Sequence, residues 1–361
     1  MNRTISIILL CMYTFTASNM FSQNVKTEIL KQKNINKMGV KTGNYSGITH
    51  INDNLYAIVS DKEKTDGFYI FEINIDRNNG SIESVVRNDS IFGNINPQTT
   101  AVNGISTRDC EGIAYIKSSN TFFIAGEGDQ RIKEYSYTGM PTGRELKVPE
   151  IFNIKNIQPN YGFEALTYDK KRKLLWTCTE SALKKDISAE DNVQGMIIRM
   201  QSFDETLQAQ KQYAYRTERP EKKKTSDLYA FGVPEMVALD NGEIIVMERE
   251  FYVTKSRIGS HVNIKLFLVN PSECESINDS SDVRNLSDKQ ILKKTLLASF
   301  KTKLNLTARS IANYEGMCLG PKLKDGRQTL LLINDSQAGF GNSLFKLKDY
   351  IKVLIFETIH D

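Results

Sequence analysis

Five times along the 361-residue chain, an apolar segment opens beside a small or acidic residue, crosses a polar turn and returns as an apolar run ending on an acid. The segments are "SGITHINDNLYAIVSD" (Ser46 to Asp61), "EGIAYIKSSNTFFIAGE" (Glu111 to Glu127) and "EALTYDKKRKLLWTCTE" (Glu164 to Glu180). The last two are "EMVALDNGEIIVME" (Glu235 to Glu248) and "EGMCLGPKLKDGRQTLLLIND" (Glu315 to Asp335). Two short apolar runs joined by a turn rich in Gly, Asn, Asp and Lys predict a β-hairpin each time. The starts lie 65, 53, 71 and 80 residues apart by subtraction, so the repeats carry loops of unequal length.

Each hairpin is followed by an alternating segment rich in β-branched and aromatic residues, which predicts a third strand. These are "GFYIFEINI" from Gly67, "RIKEYSY" from Arg131, "GMIIRMQSF" from Gly195, "VNIKLFLVN" from Val262 and "YIKVLIFETI" from Tyr350. A fourth strand follows in four units: "SIESVVRND", "GRELKVPEIF", "LQAQKQYAYR" and "KKTLLASF". The fifth unit runs out of chain, and "VKTEILKQKN" from Val25 supplies the missing strand.

Four-stranded units in radial repetition predict an all-β fold, a β-propeller closed by its N-terminal strand, which removes an exposed sheet edge. The count is five blades, or six if a degenerate blade hides in the longer spacings. "LSDKQILKK" near Leu286 predicts one short helix in an insertion.

In such a hairpin the residue that starts the first strand and the residue that ends the second share one rim of the central channel. Glu111 with Glu127, Glu164 with Glu180, Glu235 with Glu248, and Glu315 with Asp335 are then expected to face each other, and Asp61 to face Ser46. Like charges directly opposed on neighbouring strands repel. Three compensations are available. Bound Ca²⁺ takes several oxygen ligands. Raised pKa values leave some acids protonated and fit for acid/base work. Basic partners and backbone N–H donors are the third, in which case each glutamate only ties one blade to the next. Arg249 follows Glu248, and Arg309 and Asn313 precede Glu315, so a cation at the mouth is either an ion-pair partner or a fork for a substrate anion.

Composition narrows the function classes. Lys plus Arg number 47 against 43 acids, too small and scattered an excess for a nucleic-acid surface. The one dense basic run, Lys222 to Lys224, follows Pro220 and reads as a solvated loop. Residues 1–22 combine Arg3, the apolar "TISIILLCMYTFTA" and small polar residues, which predicts a cleaved secretory signal and a secreted or periplasmic protein with no membrane span. Cys11 lies inside that apolar run, where a lipid-attachment cysteine would end it. Residues 23–361 are expected to form a single domain, and a monomer. Cys110, Cys178, Cys274 and Cys318 form no CxxC pair, and are either disulfide partners or buried small residues. His50, His261 and His360 accompany no nucleophile motif, so a Ser-His-Asp hydrolase has little support. Trp176 reads as core, and "GEGDQ" from Gly126 as a turn.

"YGFEALTYD", "KLLWTCTE", "EIIVMERE" and above all "NYEGMCLGPKLKDGRQTLLLINDS" resemble the family called esterase-like activity of phytase, from about Asn44 to Gln337. The resemblance implies a secreted or periplasmic propeller that hydrolyses phosphoesters or esters. By resemblance Glu111, Glu164, Glu235, Glu248, Glu315 and Asp335 occupy the family's recurrent acidic positions, while Ser46-Gly47 departs from them. Two functions follow. One is a metal-dependent hydrolase of a small phosphoester or ester, with Glu315, Glu164, Arg249 and Asn313 catalytic and Glu111, Glu127, Glu180, Glu235, Glu248, Asp335 and Asp61 holding Ca²⁺. The other is a non-catalytic propeller whose acidic mouth captures a cation or a cationic ligand.

Overall fold

A computed structural model of the chain describes residues 26–63, 66–88, 108–221, 228–307, 309–342 and 345–357. The expected leader at 1–22 with Cys11, and also Val25, Lys222 to Lys224 and His360, lie outside the described residues. Five antiparallel sheets make a five-bladed β-propeller. The first blade orders Tyr45–Asn52, Leu55–Ser60, Tyr69–Ile75 and Ile82–Asn88. The second runs Cys110–Ile116, Thr121–Gly126, Arg131–Ser136 and Pro141–Glu145. The third runs Phe163–Asp169, Leu174–Thr179, Ile197–Asp204 and Ala209–Arg216, and the fourth Tyr229–Ala238, Ile244–Tyr252, His261–Val269 and Lys294–Lys303. In the fifth, Asn313–Lys322, Gln328–Asp335 and Tyr350–Phe356 are completed by the N-terminal strands Thr27–Ile29 and Lys33–Asn34.

The apolar runs of the second strands are explained by burial on both faces. Alternate residues serve different blade junctions: Ile244 and Val246 pack toward the third blade, Ile245 and Met247 toward the fifth. Likewise Leu330 and Leu332 face the fourth blade, and Leu331 and Ile333 the first. Five apolar clusters, one per junction, therefore form most of the core, and a sixth, smaller one packs Ile197 and Ala214 of the third blade against Ile277 and Val283 of the insertion. Trp176 belongs to the junction of the third and fourth blades, and is 1% exposed.

Among the described residues no sixth blade occupies the longer spacings. The 80-residue interval holds an insertion with three short 3-10 turns between third and fourth strands, and "LSDKQILKK" contributes only Asp288–Gln290, capped by Ser287. The second blade's outer strand begins at Pro141, ahead of the expected Gly143. Gly139, with φ +78°, turns the chain at once after the third strand, and the expected continuation forms a 3-10 turn at Glu150–Phe152. The four cysteines of the described residues are free thiols, three of them buried. Among the described residues no helix is long and apolar enough to cross a membrane.

Candidate functional site

The expected face-to-face acid pairs are not formed, because a β-bulge interrupts each inner strand, at the acid in the second, third and fifth blades, at Ser46 in the first and just before Glu235 in the fourth. Register slips between Tyr45 and Ile48, Cys110 and Ile113, Phe163 and Ala165, Gly232 and Glu235, and Tyr314 and Gly316. A bulge sets two residues opposite one and re-aims a side chain. The residue opposite the strand-ending acid is consequently two positions before the bulge acid. Asn313 pairs with Asp335, and Asp61, Glu127 and Glu180 donate their backbone N–H to the carbonyls of Asn44, Asp109 and Gly162. In the fourth blade Glu235 pairs with Met247 and Gly232 with Arg249, so Glu235 does not face Glu248.

The glycine after the bulge acid has a separate reason. A Cβ on Gly112 would stand 2.1 Å from the carbonyl oxygen of Glu164, one on Gly47 would stand 2.2 Å from that of Glu111, and one on Gly316 would stand 2.3 Å from that of Ser46. In the first, second and fifth blades this glycine thus admits the next blade's backbone at van der Waals contact, while the third and fourth blades carry Ala165 and Met236 there.

The bulges open on a cavity of about 910 Å³ at the mouth of the ring. Asp61, Asp109, Glu111, Glu127, Glu164, Glu180 and Glu315 line it, with Lys62, Arg249, Arg257 and Lys346 as its basic groups. Asn313 lines it too. Oxygens of Asp61, Asp109 and Glu111 lie within 4.8 Å of one another. Among the described residues the carboxylates of Asp109, Glu111 and Glu164 have no hydrogen-bond donor, and Oδ1 of the 6%-exposed Asp61 is buried without one. The other Asp61 oxygen pairs with Lys62.

Arg249 is the hub of the opposite side. One terminal nitrogen donates to Glu315 Oε1 at 2.6 Å and Asn313 Oδ1 at 2.9 Å, and the other pairs with Glu180. Asn313 Nδ2 donates to the same Glu315 oxygen at 2.7 Å, leaving Glu315 Oε2 without a partner among the described residues. The guanidinium that the sequence offered to a substrate anion is therefore engaged by protein acids.

Loss of hydration raises every unpaired acid here, and crowding adds to it. Burial lifts Asp61 to about 6 against the pull of Lys62. It lifts Glu127 to about 7, although the Gly162 N–H at 2.9 Å opposes the rise. Burial also lifts Glu315 to about 7, opposed by Arg249. Glu111 and Glu164 rise well above the ordinary range, from burial first and then from the acids around them.

Three of the expected acids lie off the cavity. Glu235 accepts from the backbone N–H of Leu166 at 3.0 Å and of Met236 at 2.9 Å, tying the fourth blade to the third. Glu248 accepts from Tyr215 Oη at 2.6 Å, Lys294 at 2.8 Å and the Glu218 N–H. Asp335 is held behind the wall by the backbone and side chain of Gln337, and Arg309 is an exposed loop residue. Sequence reasoning missed Asp109 and Lys62. Asp109 had a signal, since it precedes its bulge acid by two positions as Asn313 precedes Glu315 and Asn44 precedes Ser46.

Residues 40–337 match the model of the Phytase-like family, described as esterase-like activity of phytase, and the chain belongs to that family. No curated protein matches the chain. Among solved structures it is similar to one described under the GH130 family of mannoside phosphorylases, with 10% identity, TM-score 0.45, and 90% of this chain and 85% of that one covered. A luciferin-regenerating enzyme gives 12% identity and TM-score 0.41, with 91% of this chain and 97% of that one covered. A duf4221-family member from Bacteroides vulgatus gives 10% identity and TM-score 0.39, covering 92% and 98%. At such values the activities of those proteins stay with those proteins.

Proposed function

We propose that this member of the Phytase-like family is a metal-dependent hydrolase of a small ester or phosphoester, acting in the acidic cavity outside the cytoplasm as a monomer. The observation that carries the reading is the convergence of Asp61, Asp109 and Glu111, whose oxygens come within 4.8 Å of one another at a cavity wall. That spacing suits ligands around a cation bound at about 2.3–2.6 Å, as Ca²⁺ is, and all-oxygen donors suit a hard cation. The orphaned Asp61 Oδ1 and the donor-less Asp109 and Glu111 would be its ligands, and a bound cation would hold them ionised against the burial that raises them. When bound, the cation polarises the scissile oxygen and acidifies water.

The chain's own residues supply the proton transfers. Glu315, at about 7, is substantially ionised near neutrality, and its unengaged Oε2 is the basic atom. It takes a proton from water as the water oxygen bonds to the ester carbon or phosphorus. Glu164, kept protonated by burial and by Glu180, returns a proton to the departing ester oxygen as its bond breaks, giving an acid and an alcohol. Asn313 and Arg249 fix Glu315 Oε1 and so orient the base.

Calorimetric titration of purified protein with Ca²⁺, followed by turnover of ester and phosphoester substrates with and without chelator, tests the reading. Wild type should bind and turn over, and Asp109→Asn should weaken binding about tenfold or more with the fold intact. A protein that binds Ca²⁺ and hydrolyses nothing would be the non-catalytic capture propeller instead. Sequencing the N-terminus of exported protein tests the location, and an uncleaved chain in the cytoplasm would overturn it.

A further inference from the structure

The cavity's polarity is segregated around the ring. Asp61, Asp109, Glu111, Glu127, Glu164 and Glu180 all come from the first three blades. The opposite wall comes from the fourth and fifth blades and the chain between them: it gathers the apolar side chains of Leu228, Phe251, Leu304, Ile311, Phe340 and Phe345, with Arg257 and Lys346 as its cations. Glu315, Asn313 and Arg249 stand at the seam. The apolar wall is constructed, not incidental. The loop carrying Phe340 is closed by an antiparallel bridge between Gly341 and Lys346 and by the Leu347 N–H donating to the Phe340 carbonyl at 2.9 Å. Arg257, from the fourth blade's loop, stacks over the Phe340 ring at 5.8 Å.

We infer that the ester taken by this cavity carries an apolar acyl or aryl group seated on the wall of the fourth and fifth blades, and that multiply charged phosphates are excluded. For the reacting bond this rests on the hydrolase reading, but the seat of the apolar group does not. Pockets of this size hold small ligands with apolar walls and a few directed polar groups. A neutral ester placed with its carbonyl at the seam puts its hydrocarbon on Phe251, Leu304 and Ile311 and brings no charge to the seven lining carboxylates. A polyphosphate would meet those carboxylates with only four basic groups in the lining, two of them already paired, Arg249 with Glu180 and Glu315 and Lys62 with Asp61.

The test has two independent arms, run on the full chain with Ca²⁺. In the first, p-nitrophenyl esters from acetate to hexanoate are compared, with inositol hexakisphosphate as substrate and competitor. Expected are a kcat/KM rising about three- to fourfold per added methylene and no turnover or inhibition by the polyphosphate. In the second, the neutral apolar fluorophore N-phenyl-1-naphthylamine is titrated into wild type, Phe340→Ser and Leu228→Ser. Both side chains are largely exposed, at 55% and 43%, so the variants keep the fold. Each variant should raise the probe Kd about fivefold or more and flatten the chain-length profile. No probe binding, unchanged variants, a flat wild-type profile or turnover of the polyphosphate would overturn the inference. Probe binding lost in the variants, with every ester inert, would sink the hydrolase reading alone and leave the apolar seat standing.

Discussion

Arg249 donates to Glu315 at 2.6 Å across the junction of the fourth and fifth blades, and Asn313 reaches the same oxygen from within the fifth. One carboxylate oxygen is thereby fixed by two donors while the other is left to the cavity. A base oriented in this way is sensitive to geometry as well as charge.

Arg249→Lys keeps the charge without the planar fork, and cannot serve Glu180, Glu315 and Asn313 together. We expect kcat to fall about tenfold or more with a smaller rise in KM, read from steady-state kinetics. Arg249→Met leaves two acids without their cation in a site where Arg249 is 4% exposed, and should cost about 3–5 kcal/mol in denaturant unfolding. Wild-type kinetics in Arg249→Lys beside a crippled Arg249→Met would mean that only charge matters.

Metal-free protein should lose stability as pH rises. Asp61 at about 6 and Glu127 and Glu315 at about 7 all exceed the ~4 of an unfolded carboxyl. The folded chain therefore binds more protons between about 4 and 7, and ionisation across that window works against the fold. Calorimetry should give a Tm about 5 °C higher at pH 5 than at pH 8 without divalent cation, and Ca²⁺ should recover the difference at pH 8. A Tm that rises with pH in chelator would contradict the assigned shifts.

Structural and cavity acids should separate cleanly. Glu235→Ala orphans the Leu166 N–H and should cost about 1–3 kcal/mol while leaving Ca²⁺ affinity unchanged. Gly112→Ala drives a Cβ to 2.1 Å from the Glu164 carbonyl and should cost about 3 kcal/mol by forcing two blades apart. Weakened Ca²⁺ binding in Glu235→Ala would place that residue in the metal site after all.

Ring closure predicts a large effect from a small deletion. Thr27–Ile29 pairs with Leu354–Phe356, and Lys33–Asn34 with Tyr350–Ile351. Removing residues 25–34 exposes the outer edge of the fifth blade, and should lower Tm by about 5 °C or more and promote association through that edge. An unchanged Tm in a monomeric variant would show that the closing strand carries little stability.

The propeller was legible because its rule is local. Period-two strands, Gly-rich turns and a fifth unit short of one strand can each be read from neighbouring residues, and the "VKTEILKQKN" segment closed the ring as its pattern required. The concentration of acids at one rim was legible for the same reason, since the bulge acids repeat in sequence. The pairing of those acids was not. Strand register depends on where an extra residue is accommodated, and nothing in "YEGM" or "GFEAL" distinguishes a bulge from a continuous ladder. Only the assembled ring decided the rest. It brought Asp61 of the first blade to Asp109 and Glu111 of the second, and turned Glu235 onto a neighbouring backbone. It also set Arg249 of the fourth blade between acids of the third and fifth. These are contacts between segments some 50 to 70 residues apart, such as the 69 positions that separate Arg249 from Glu180, and a chain records such neighbours only by folding.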